Sequence, residues 1–246
     1  RAVASLAWLP GTEPCDGYPY FRFERVLRNN LGRQGPDGGE EGIVYQCRDE
    51  VDGRRKVNLE VRATSPYSPF STRLNGLSGI YGSINLLPAS EVQLRLRLRE
   101  LTGEPLRPAA LALTFLDLDE DVRQSGVEYL EFGGFKEVRV TESTELGMAT
   151  LPDGRLVVRA GRWGDGRDNP ASEAPPTRRN QDRAVGIMYS HAGEINITMG
   201  VDTRGQVPRF FVFVLRPFLC SSAHHLAERR SVLAGSAAGA ADSQAV

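Results

Sequence analysis

The sequence predicts an all-β protein, an antiparallel β-sandwich of jelly-roll type with long loops. Three observations predict it. Several segments alternate strictly between apolar and polar residues, turn-forming residues punctuate them throughout, and helical periodicity is confined to 222–234, "SAHHLAERRSVLA". That last segment is read as a short C-terminal helix or tail.

Each strand follows from its own pattern. "VNLEVRA" places Val57, Leu59 and Val61 on one face and Asn58, Glu60 and Arg62 on the other. "VQLRLRLR" sets Val92, Leu94, Leu96 and Leu98 against Gln93, Arg95, Arg97 and Arg99, and "EINITMG" sets Ile195, Ile197 and Met199 against Glu194, Asn196 and Thr198. A period of two puts one face in a core and the other in water. Further strands are expected over 110–117, 127–132, 135–142, 155–160, 184–190 and 208–216. The apolar "FFVFVL" (210–215) reads as a central strand. Turns are expected at 35–42, 73–83, 151–155 and 161–176, where Gly, Pro, Asn and Asp cluster. The expected organisation is an N-terminal extension over 1–15, one sandwich domain over 16–221, and a flexible or partly helical C-terminal tail over 222–246.

Bulk composition excludes some functions. The chain has 246 residues, 40% hydrophobic and 25% charged, enough to bury a sizeable core. Thirty basic residues against thirty-one acidic give a net charge of −1, without the basic excess of a nucleic-acid binder. No apolar run has the roughly 18–20 residues of a membrane span. Lys56 and Lys136 are the only lysines, and the arginine bias reads mainly as codon usage. The chain begins at Arg1, so it reads as a processed or excised piece, with "AVASLAWL" as a possible signal remnant. Cys15, Cys47 and Cys220 form no CxxC pair, and a bridge from Cys47 or Cys15 to Cys220 is the expected disulfide. Asn196-Ile197-Thr198 is a sequon on the polar face of its strand, open to glycosylation.

The segment "LTFLDLDEDVRQSGVEYLEF" (113–132) concentrates the chemistry. Asp117, Asp119, Asp121 and Glu128 match positions 1, 3, 5 and 12 of an EF-hand loop. Val122 stands where that loop needs glycine, and a strand precedes it where a helix is required, so an EF-hand is excluded. Parity puts Asp117 and Asp119 on the face of Leu111, Leu113 and Phe115, and Glu128 on the face of Leu130 and Phe132. If those faces look inward, the buried carboxylates need a cation, arginines or protonation. Ca²⁺ is the best such cation by its preference for oxygen ligands. The loop "GRWGDGRDNP" offers further oxygens from Asp165, Asp168 and Asn169, with Asn169 held extended by Pro170. The competing reading ends the strand at Leu116 and leaves the acids in a solvated turn, with Asp121 the more exposed. Trp163 is a candidate stacking platform for a sugar, or a cap on the core. The stripe Arg95, Arg97 and Arg99 could face an acidic partner or simply water.

Catalytic readings are weaker. Asp119 and Glu128 could form a glycosidase pair, yet only Trp8 and Trp163 are available as tryptophan platforms. His191 has no nucleophile-elbow motif to serve, and "GPDGGEEG" lacks the Lys and Ser/Thr of a phosphate loop.

The order "NLGRQGPDG" (30–38), "NLEVRATSPYS" (58–68), "NGLSGIYGSINL" (75–86), "LTFLDLDED" (113–121), "VEYLEFGGF" (127–135), "DNP" (168–170) and "RFFVF" (209–213) resembles extracellular β-sandwich modules of large bacterial and unicellular-algal surface proteins. The resemblance spans roughly residues 20–220. It implies a secreted or surface-attached, non-catalytic module, often calcium-binding, that serves adhesion, glycan binding or assembly with a protein or glycan partner. It also implies Asp117, Asp119, Glu128 and Asp168 as metal ligands. A structural subunit of a larger complex is the alternative of a different class.

Overall fold

The computed structural model describes residues 18–121, 126–164, 170, 176–202 and 207–217, together with the backbone of 224–227. Their strands are β1 (Phe21–Asn30), β2 (Gly42–Asp49), β3 (Lys56–Ala63), β4 (Gly76–Ser78), β5 (Tyr81–Leu86), β6 (Ser90–Arg99), β7 (Ala110–Leu116) and β8 (Val127–Phe132). There follow β9 (Glu137–Val140), β10 (Leu146–Thr150), β11 (Leu156–Ala160), a one-turn helix α1 (Arg178–Asp182), β12 (Val185–Ser190), β13 (Ile195–Asp202), β14 (Arg209–Val214) and β15 (His224–Ala227).

Two antiparallel sheets form the sandwich. One has eight strands in the order β1-β2-β3-β6-β13-β8-β11-β10, and the other has seven in the order β15-β9-β12-β7-β14-β5-β4. The alternating segments bury the residues that periodicity assigned to the core. Val57, Leu59 and Val61, then Val92, Leu94, Leu96 and Leu98, then Ile195, Ile197 and Met199 all join one hydrophobic cluster. "FFVFVL" is central as expected, because β14 lies between β7 and β5.

Aromatic rings join the sheets. Phe213 of the seven-stranded sheet meets Phe23 and Tyr45 of the other sheet at centroid distances of 5.5 and 5.8 Å, and Phe115 of its own sheet at 5.7 Å. The close approach depends on Gly82 in β5. A Cβ there would lie 2.6 Å from the Phe23 ring and 2.7 Å from the Phe213 ring.

Three expectations change. Residues 224–227 form strand β15 against β9, His224 opposite Val140, where the sequence suggests a helix or loose tail. The edge of β9 offers backbone hydrogen bonds, and tertiary pairing of this kind overrides weak helical periodicity. β4 and the start of β5 occupy a segment whose glycines read as a turn. Ser83 and Asn85 are buried in β5, and Asn85 donates to the Ser71 carbonyl (2.8 Å) and the Asn75 side-chain oxygen (2.7 Å). Cys47 is buried with a free thiol, so it forms no bridge, and Cys15 and Cys220 lie outside the described residues. Burial holds the Cys47 thiol well above its ordinary pKa, which makes it unreactive. Among the described residues no helix is long and apolar enough to cross a membrane.

Gly82→Ala is expected to destabilise the fold by about 1–3 kcal/mol through overpacking against two rings. A urea unfolding midpoint equal to wild type would contradict that packing.

Candidate functional site

Strands β7 and β8 are successive in sequence but belong to opposite sheets, so the segment between them crosses one end of the sandwich. The strand ends at Leu116, and Asp117 adopts a left-handed backbone with φ of 59°. This residue breaks the alternation. Leu118, on the opposite parity from Phe115, nonetheless joins the same core cluster. The acids do not become solvated in consequence. Asp117, Asp119, Asp121 and Glu128 are 6%, 4%, 5% and 1% exposed. Asp121, expected to be the exposed member, is therefore buried with the others.

Arginines meet these carboxylates. Arg209, the first residue of β14, donates through Nε to Glu128 Oε1 at 3.1 Å, and its Nη2 contacts Asp119 Oδ1. Since β8 and β14 lie in different sheets, this ion pair spans the sandwich. Glu128 Oε2 also accepts the Asp119 backbone N–H at 3.2 Å. Arg183, just before β12, places Nη1 3.8 Å from Asp119 Oδ2 and donates through Nε to Glu145 Oε2 at 2.8 Å. Burial, reinforced by the nearby Asp117 carboxylate, pushes Glu128 well above the ordinary glutamate value, although the Phe210 backbone N–H opposes the shift. Burial likewise lowers Arg209, against the stabilising charge of Asp117. Both directions express how costly charge is at this depth.

A second layer fixes the neighbouring loop. Glu120 donates its N–H to the Arg162 carbonyl (2.9 Å) and accepts the Gly164 N–H (2.9 Å), forming a bridge with Trp163. Arg183 Nη2 donates to the Trp163 carbonyl at 2.8 Å. Gly164 rests directly on the cluster: a Cβ there would sit 1.5 Å from Asp119 Oδ2. The loop glycine is thus required by close approach to a carboxylate. Trp163 ends at the rim with 44% of its surface exposed.

The structure brings Asp117, Asp119 and Glu128 together beside Gly164 and Arg209 in a space of about 150 Å³. It does not gather three described acids in a geometry that would hold a metal. Two of the candidate ligands, Asp119 and Glu128, already face guanidinium groups, and a Ca²⁺ ion needs six to eight oxygens without a cation among them. The described residues therefore do not fit calcium while Arg209 holds its place. Asp165, Asp168 and Asn169 lie outside the described residues.

The remaining candidates lie elsewhere. Arg95 and Arg97 both reach Glu194, at 3.3 Å and as a close Arg97 pair (2.5 Å), while Arg99 reaches Glu60 at 2.8 Å. Hydrogen bonding from Arg97 holds Glu194 below the ordinary glutamate range. The stripe is thus matched by acids from its own sheet. Asn196 is exposed on the outer face of β13, opposite Arg95 in register. Sequence reasoning missed Arg183, Arg209, Glu145 and Gly164. The available signal was an arginine opening each of two strongly apolar strands, "RAVGIMYS" and "RFFVFV".

No protein-family model and no curated protein matches the chain. Among solved structures it is similar to the N-terminal domain of the Streptococcus gordonii adhesin Sgo0707, with 12% identity and a TM-score of 0.41, covering 82% of this chain and 48% of that one. It is also similar to the glucan binding protein C of Streptococcus mutans, a protein linked to adherence, with 11% identity and a TM-score of 0.43, covering 73% and 62%. The chain spans less than two thirds of either.

Two outcomes follow from the cluster. Arg209→Met should destabilise the fold by about 3–5 kcal/mol, because it strands Glu128 and Asp119 without their partner; a loss below about 1 kcal/mol in urea unfolding would refute the ion pair. The second concerns pH. The raised folded pKa of Glu128 contributes stability that is complete below its ordinary value of 4.5 and is lost as pH climbs through the raised value. Glu128→Gln keeps the neutral form throughout. Its stability relative to wild type should therefore rise as pH climbs above the ordinary glutamate value, and a pH-independent difference would show that Glu128 is ionised over the pH range tested.

Proposed function

We propose that this chain is a non-catalytic binding module of an extracellular or cell-surface protein, serving adhesion to a glycan or protein partner. The observation that carries this reading is Trp163, 44% exposed at one end of the sandwich, whose backbone is held by Arg183 at its carbonyl and by the flanking bridge to Glu120. Rigid aromatic residues on a preformed surface provide contact area at little entropic cost. The sequon at Asn196, exposed on the sheet's outer face, supports a secretory route.

The carboxylates below Trp163 support binding over hydrolysis. Asp119 and Glu128 share Arg209, and the Gly164 backbone covers Asp119. A glycosidase pair must instead flank a sugar chain and exchange protons with it. Here the acids serve the position of the rim.

Calcium enters as a second form of the proposal, favoured by the burial of four carboxylates at one end. In this form an ion displaces Arg209 and takes Asp117, Asp119 and Glu128 as ligands, joined by Asp168 and Asn169 from outside the described residues. Assembly into a larger complex through the sheet faces is the reading of another class.

One experiment separates these. The protein is applied to a panel of immobilised neutral and acidic polysaccharides and to whole cells, and the eluate is assayed for new reducing ends. Retention without product is expected. Release of reducing ends that disappears in Glu128→Gln would replace the proposal with a glycosidase. A melt with excess chelator reads the metal: an unchanged Tm is expected if arginine is the resident cation, whereas a fall of several degrees would establish calcium as a stabilising partner.

A further inference from the structure

The site's outer side opens onto a groove of about 550 Å³ between the Trp163 loop, α1 and the start of β10. Four arginines line it (Arg162, Arg178, Arg179 and Arg183), with two acids, Glu145 and Asp182, and Trp163. The volume lies within the range of small-ligand sites.

Its charges are arranged in tiers. Arg183 is buried and committed to Glu145 and Asp119, so it is structural. Asp182 faces Arg178 at 3.3 Å and accepts from the Thr141 and Ser143 hydroxyls at 2.5 and 2.6 Å. Thus each groove carboxylate already has a groove arginine. Arg162 is exposed at the rim, adjacent in sequence to Trp163, and adds positive charge beyond those two pairs. α1 is fixed in place by its Thr177–Asn180 capping box, in which each side chain bonds the other's backbone N–H. The groove therefore combines a partly exposed indole, an exposed guanidinium and the carboxylates of Glu145 and Asp182.

Building on the binding-module reading, we infer that this groove binds an acidic sugar, a glycan residue carrying a carboxylate or a sulfate. The indole would take the apolar face of the sugar ring. Arg162 would meet the anion in the planar, paired geometry that guanidinium offers to oxyanions. The Asp182 and Glu145 carboxylates would accept from ring hydroxyls. A neutral glycan leaves the arginine unused, and a simple polyanion leaves the indole unused.

The test uses the whole chain and titration calorimetry with three probes of matched length: oligogalacturonate, a heparin-derived oligosaccharide and dextran. Inorganic polyphosphate serves as a charge control. Binding to one or both acidic sugars is expected, with at least roughly tenfold preference over dextran and polyphosphate, and with weakening at high salt. The oligogalacturonate and heparin arms distinguish carboxylate from sulfate. Trp163→Ala should weaken binding roughly tenfold and Arg162→Ala roughly three- to tenfold, each with the wild-type melting transition. Glycan binding that neither variant weakens, or that favours dextran, would overturn the groove assignment while leaving the module reading in place. Equal binding of polyphosphate would reduce the site to a charged patch. Failure of wild type to bind any glycan or cell surface would remove both.

Discussion

An arginine of one sheet, buried against a glutamate of the other, closes one end of this sandwich. Arg209 and Glu128 are the link, and much of the candidate site is arranged around it. Two packed sheets bury their facing side chains readily, but at an open end the last residues of each strand meet water. Here the chain crosses from β7 to β8 at that end and carries its acids under the crossing. Asp119 is the shared member: Arg209 and Arg183 approach it, and Gly164 lies on it. Through Arg183 the same set of contacts reaches the Trp163 carbonyl. The backbone of a residue exposed at the rim is thereby held by the Arg183 guanidinium, itself buried and paired inside the sandwich.

Burial decides what each charge contributes. The outer face of the eight-stranded sheet carries Arg95, Arg97 and Arg99 against Glu194 and Glu60, and most of those groups are substantially hydrated. Such pairs contribute at most about 1 kcal/mol each. The same residue types at the sandwich end lie out of water, where forming the pair gains little net stability but losing one member costs several kcal/mol. The surface stripe therefore tolerates substitution, whereas the buried set fixes geometry. A ligand groove placed beside the second is preorganised in a way that one beside the first would not be.

The strands were largely legible, and the reason is physical: each half-buried strand must alternate, and Val57 to Val61, Val92 to Leu98 and Ile195 to Met199 do so. Topology was not legible. Nothing in "LTFLDLDEDVRQSGVEYLEF" says that its two strands join different sheets, because alternation reports a face and not a partner. Parity also failed across Asp117, where one left-handed residue shifts the alternation and brings Leu118 into the core. Burial of the acids was anticipated as one branch, with cation, arginine or proton as its possible companions. Which companion applies depends on Arg209, some eighty residues away in sequence, and such a pairing exists only once β14 is seated. The helical pattern near the C-terminus misled for a related reason, since edge pairing with β9 is not local information.

Arg209 meets Asp119 and Glu128 with a cation that belongs to the chain itself. An ion bound through carboxylates leaves when its free concentration falls or when the ligands are protonated. Arginine is part of the chain and does not dissociate from it. Burial favours the neutral form of Glu128 and works against the charge of Arg209 as well. Protonation of Glu128 leaves Oε1 able to accept from Arg209, so the contact changes strength without being abolished.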